Sequence, residues 1–220
     1  VFIGHYGIAF GAKRYAPAIS LGILFLAAQL ADLIWPNLVL LGIEQVRIDP
    51  GATVMTPMDF VHYPWSHSLV ALAVWGGLFG LLYAALTRAG RTAALVIAAV
   101  VLSHWVLDVI SHRADVPVLP SDGLRVGLGL WNHPVAAVLV ELGIFAAGVW
   151  LYLRRTSAID RIGSLGLWAL VLFLLAVYVA NVLGPPPPSV AAVAWSAQAM
   201  WLLVFWAFWV DRHRAARRAS

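Results

Sequence analysis

His104, Asp108 and His112 stand four residues apart in "SHWVLDVISH" (103–112), at the end of an apolar run long enough to cross a bilayer. In a helix that spacing stacks all three side chains on one stripe. Imidazole nitrogen and carboxylate oxygen are the donors that suit zinc or another first-row divalent ion. A catalytic zinc keeps about three protein ligands and an open position for water, whose pKa falls to roughly 7. An unpaired carboxylate in hydrocarbon costs several kcal/mol, so these groups need a partner, a proton or a metal.

Other ionisable residues share that depth: Asp32 in "LADLIWP" and Glu141 in "VAAVLVELG" lie in apolar runs, and His67 in "HYPWSHS" lies at the mouth of one. His104 and Asp108 can face one ion, and His67 and Asp32 from the preceding spans can complete its shell. His112, one turn further along, is placed to contact an anionic substrate or to support a ligand. Glu141 is a candidate general base, or a group that orients a ligand histidine. Each has a plainer reading. His104 and Asp108 can satisfy one another, His67 can anchor an interface, and Asp32 can pair with Arg47 or Arg113. His62 and His133, near loops, read as surface residues, and His213 lies in a basic tail.

The elements that must position these residues are transmembrane helices. Of the 220 residues, 62% are hydrophobic and 11% charged, against about 25% charged in a soluble domain. The apolar runs are continuous, which favours helices over a barrel. Six segments are long enough to span: 17–41, 66–86, 92–111, 130–153, 162–183 and 190–210. The expected fold is an all-α polytopic membrane bundle forming one domain. Residues 1–155 form a motif-bearing four-helix part, and 156–220 add two helices and a basic tail. Two polar loops, 42–65 and 112–129, join spans on one side. "GPPPPS" (184–189) is a stiff connector. There is no cysteine, which excludes thiolate ligands and nucleophiles. "VFIGHYGIAFGA" lacks the basic start of a cleavable signal peptide.

Lys and Arg set the expected orientation. Eleven fall on one side (Lys13, Arg14, Arg88, Arg91, Arg154, Arg155, Arg161, Arg212, Arg214, Arg217 and Arg218) and three on the other (Arg47, Arg113 and Arg125). Both termini are therefore expected in the cytoplasm. Asp32, His67, His104, Asp108, His112, His133 and Glu141 all fall toward the outer side. The net charge of +4 reflects topology and not nucleic-acid binding.

The order "GHYGIAFGAK", "LADLIWP", "HYPWSHS", "SHWVLDVISH" over residues 1–155 resembles bacterial membrane-bound metal-dependent hydrolases, a family that includes a LexA-regulated inner-membrane protein. It is also distantly similar to the His/Asp pattern of zinc-dependent phospholipase C. The resemblance implies metal ligands at His5, Asp32, His67, His104 and Asp108. Where the family has two acidic residues close together, this chain has only Asp32, and "HYPWSHS" lacks the family's basic residue and glycine. Because the charge rule leaves His5 on the cytoplasmic side, it can join the others only if residues 1–12 form a re-entrant segment buried in protein.

The leading expectation is an inner-membrane hydrolase with a periplasm-facing His/Asp site. It would hold a divalent metal, zinc by donor type, and act on an ester or phosphoester of a lipid or lipid-linked substrate. The alternatives are a non-catalytic subunit scaffolding a larger membrane complex with protein partners, and a transporter or proton relay. Haem ligation by two histidines lacks an attachment motif.

Overall fold

The computed structural model describes residues 2–121 and 123–217. The chain opens with α1 (Ile3–Ala12), α2 (Leu21–Ala28) and α3 (Leu30–Leu40), followed by a hairpin of β1 (Gln45–Ile48) and β2 (Met58–His62). Then come α4 (Pro64–His67), α5 (Leu69–Thr87) and α6 (Arg91–Ser111). A two-residue pairing of β3 (Val116–Pro117) with β4 (Arg125–Val126) and a 3-10 turn at Leu130–Asn132 lead into α7 (Pro134–Arg155). The rest is β5 (Thr156–Ala158), α8 (Arg161–Leu183), α9 (Val190–Ala197), α10 (Met200–Arg212) and β6 (Arg214–Ala216), which pairs with β5.

The molecule is an all-α helical bundle. Among the described residues five helices are long and apolar enough to cross a membrane: α5, α6, α7, α8 and the run Val190–Arg212. The pair α2–α3, bent by 51° at Gln29, makes a sixth if taken as one span. The element ends follow from local chemistry. Pro134 opens α7 at its first turn, where a missing N–H is no loss. It also forces His133 out of helical geometry, so residues 130–133, expected within the span, form a separate turn. Ser68 is extended and its hydroxyl accepts from Ala71 N, starting α5 afresh. His67 therefore ends the short helix α4, outside the span to which the sequence assigns it.

Helix α1 has ten residues, about 15 Å and half of what a crossing needs. It is buried almost all round and packs on α7, α2 and α6. Gly7 and Gly148 permit its close approach to α7: a Cβ on Gly148 would lie 1.9 Å from the Gly7 carbonyl oxygen. At one end of α1, Phe2 meets Glu141 of α7. At the other, Lys13 donates to Asp211 of α10 and to the Ile19 carbonyl oxygen, both at 2.7 Å. This buried interior helix carries His5.

Candidate metal centre

Three buried side chains define the centre of the site. On α6, His104 and Asp108 are one turn apart, with His104 Nε2 3.3 Å from Asp108 Oδ2. From α1, His5 Nε2 lies 3.3 Å from Asp108 Oδ1. The His5 ring stacks on His104, with centroids 3.7 Å apart and planes within 2°. Asp32, in the first turn of α3 just past the bend, and His67, at the end of α4, close the group from the other side. His67 Nε2 is 3.3 Å from Asp32 Oδ1 and 3.9 Å from Asp108 Oδ2. His104 Nε2 is 3.7 Å from Asp32 Oδ1. Two sets of ligand atoms result, each within 4.8 Å of one another: His5, His104 and Asp108, and Asp32, His67 and His104. They share His104. The Asp32 side chain is 25% exposed and the other four at most 5%, so Asp32 marks the open edge.

The hydrogen bonds behind the rings decide what they present. His104 Nδ1 is 2.8 Å from the Ala28 carbonyl oxygen, which can only accept, so Nδ1 carries a proton and Nε2 is the nitrogen turned to the carboxylates. His67 reaches the same state by a longer route. Ser66 Oγ donates to Glu44 Oε2 at 2.6 Å, which spends the hydroxyl proton. At 2.7 Å from that oxygen, His67 Nδ1 must then donate to it. Glu44 is held in turn by the N–H groups of Trp65 and Ser66. Rings oriented through Nδ1 by carbonyl or carboxylate partners are the usual support of metal-ligating histidines.

The donor set fits a divalent cation. The Nε2 atoms of His67 and His104 face carboxylate oxygens, an arrangement that calls for a proton or a cation between them. His5 Nε2 has only the Asp108 carboxylate beside it, and His5 Nδ1 is buried with no hydrogen bond among the described residues, a costly state for a polar group. The nitrogen and oxygen donors are of the kind that zinc and other first-row divalent ions take.

His112 stands beside this group and belongs to neither ligand set. Its Nε2 is 3.9 Å from Asp108 Oδ1, and its Nδ1 is 3.0 Å from Asp115 Oδ1. Asp115 also accepts from Tyr63 Oη at 3.2 Å and Arg113 Nε at 3.2 Å. Burial, reinforced by the negative charges of Asp115 and Asp108, pushes the Tyr63 phenol well above its ordinary pKa, so it stays a donor. Trp131 covers the His112 ring at 4.2 Å. Arg113 bonds to Asp59, Asp115 and the Ala52 carbonyl, not to Asp32.

Glu141 is placed differently from its expected role as an acid–base group at the cluster. Its Oε2 accepts from the backbone N–H groups of Phe2, Ile3 and Gly4 at 2.9, 3.1 and 3.5 Å. Those donors have no partner within their own helix, and a carboxylate satisfies them and the positive end of the dipole. Glu141 thus holds the helix that presents His5. His133 is exposed and lies outside both ligand sets. Glu44, Ser66 and Asp115, which orient His67 and His112, were not legible as site residues; the only hint was Ser66 directly before His67. No family model, curated protein or solved structure matched the chain.

Proposed function

We propose that this chain is a membrane-embedded, metal-dependent hydrolase of a bacterial inner membrane, acting on an ester or phosphoester of a lipid or lipid-linked substrate. The observation that carries the reading is the convergence of Nε2 atoms from three elements on two carboxylates, with the Nδ1 of His67 and of His104 already committed to an acceptor. His5, Asp32, His67, His104 and Asp108 would hold the ion, zinc by donor type. When bound, zinc supplies Lewis acidity and lowers the pKa of a bound water to about 7. The resemblance of the four sequence motifs to bacterial membrane-bound hydrolases supports the same reading.

The remaining residues divide the work. His112, its Nδ1–H held by Asp115, accepts a proton at Nε2 from the attacking water and returns it to the leaving group. Asp32, at the open edge, faces the incoming substrate. The distribution of Lys and Arg supports a periplasm-facing opening with the Arg-rich end in the cytoplasm.

The test uses the purified full chain. Bound metal is measured by mass spectrometry of the elements. Hydrolysis of bis(p-nitrophenyl) phosphate and p-nitrophenyl butyrate is followed with zinc and with chelator. Near-stoichiometric metal, lost in His104→Ala and Asp108→Ala, with hydrolysis that follows the metal, is the expected result. A chain that takes up no first-row ion, or hydrolysis untouched by chelation and by both variants, would overturn the proposal.

A further inference from the structure

A groove of about 660 Å³ runs along α1 between α6 and α7. Its floor includes Ile8 and Ala12, three and seven residues beyond His5 and so on the same helical face. Its α6 wall includes Val96 and Val100, two turns and one turn before His104, and its α7 wall Ala147 and Leu151. The groove ends at Tyr15 and Thr92, both exposed. Large exposed apolar side chains flank it, Leu95 on α6 and Trp150 on α7, so its surroundings are hydrocarbon.

Charge gathers at the Tyr15–Thr92 end. Arg14, Arg88 and Arg91 are exposed there, and none forms an ion pair among the described residues. The acidic residues nearest in the sequence to the other basic stretches are already committed, Asp211 to Lys13 and Asp160 to His213. An apolar slot thus opens beneath uncompensated guanidinium groups.

We infer that the groove binds an acyl chain of an anionic phospholipid whose phosphate sits at Arg14 and Arg91. The apolar lining suits a hydrocarbon tail, and the open end at Tyr15 and Thr92 brings the phosphate to the neighbouring guanidinium groups. Juxtamembrane basic residues contribute about 1 kcal/mol each toward anionic headgroups. This site is independent of the hydrolase reading, although its occupant would pack against the helix that carries His5.

The test is native mass spectrometry of the delipidated full chain titrated with dioleoylphosphatidylglycerol or dioleoylphosphatidylcholine. Two arginines favour the anionic lipid by roughly 30-fold. The double variant Arg14→Gln, Arg91→Gln brings the two lipids to near parity. Ala99→Trp with Ala147→Trp, both exposed positions in the groove, weakens both lipids severalfold or more. Equal affinity for the two lipids in the unaltered chain, or no effect of filling the groove, would overturn the inference. A second readout needs no variant. Phosphatidylglycerol with a diazirine at its chain end should label the end of the groove away from the arginines, around Val100 and Ile144, and labelling confined to other helices would equally refute the site.

Discussion

His104 donates its Nδ1 proton to the carbonyl oxygen of Ala28, the last residue of α2, at 2.8 Å. The bend that follows at Gln29 lets α3 carry Asp32 back toward the same ring, 3.7 Å from its Nε2. His104 is common to both ligand sets, whereas His5 belongs to one. His104→Ala should therefore abolish metal retention, while His5→Ala leaves Asp32, His67 and His104 to hold the ion more weakly. Metal content after exhaustive dialysis distinguishes the two. Equal retention in both variants would contradict the shared-ligand geometry.

Ser66 touches neither carboxylate of the cluster, yet it fixes the His67 tautomer by passing its own proton to Glu44. Ser66→Ala should lower zinc affinity by about 10–100-fold, the usual consequence of losing a group that orients a ligand. Competition with a chromophoric chelator measures it. The fold should survive, because the change removes one hydroxyl and leaves Glu44 bonded to two backbone N–H groups.

How much of this was visible beforehand depends on what each residue's neighbours reveal. His104, Asp108, Asp32 and His67 were legible because ionisable residues in apolar segments have few other reasons to be there. The helical bundle was legible for the same reason, in the length and continuity of those segments. His5 came only through the resemblance, since the charge rule set it against the cluster; a ten-residue helix buried in the bundle removes that conflict. Glu141 could be recognised as anomalous but not assigned, because what it faces is the backbone start of α1, which has no side-chain pattern. Glu44 and Asp115 lie in segments that read as polar loops, where a carboxylate is unremarkable until a hairpin and a short helix enclose it.

Glu141 is predicted to act through α1. Glu141→Gln keeps the shape and one oxygen to accept from Phe2, Ile3 and Gly4 but weakens the cap by removing its charge. Loss of a cap and its charge costs about 0.5–2 kcal/mol, so thermal unfolding in detergent should move down by a few degrees. Zinc affinity should fall with it, because His5 rides on the same helix. If Glu141→Gln instead left metal affinity and melting unchanged but stopped hydrolysis, Glu141 would be an acid–base group.

Asp160 gives a pH-dependent prediction outside the apolar core. The Gly163 N–H first, and His213 next, hold its carboxyl below the usual carboxylate range. A depressed folded-state pKa contributes stability above the unfolded value of about 3.9 and loses it as pH falls through the folded value. The unaltered chain should melt above Asp160→Asn at about pH 5, and the difference should shrink as pH falls below about 4. A difference that grew on acidification would reverse the sign.

The far end of α1 is held by a different device, and it separates fold from chemistry. Lys13 and Asp211 form an ion pair at 2.7 Å with side chains 6% and 10% exposed. Asp211 also accepts from Tyr152 Oη at 2.8 Å and Leu21 N at 3.0 Å. Removing one partner of a buried pair leaves the other uncompensated and costs about 3–5 kcal/mol. Lys13→Met should approach that cost, because Tyr152 and Leu21 can stabilise Asp211 only in part. Asp211→Asn should cost less, since an amide can keep one of the accepted hydrogen bonds while Lys13 retains the Ile19 carbonyl. Unfolding in mixed micelles measures both. Zinc bound per folded molecule should stay unchanged, since neither residue belongs to a ligand set. A loss of metal at full fold would show that the two ends of α1 are coupled, and that Lys13 also sets the position of His5.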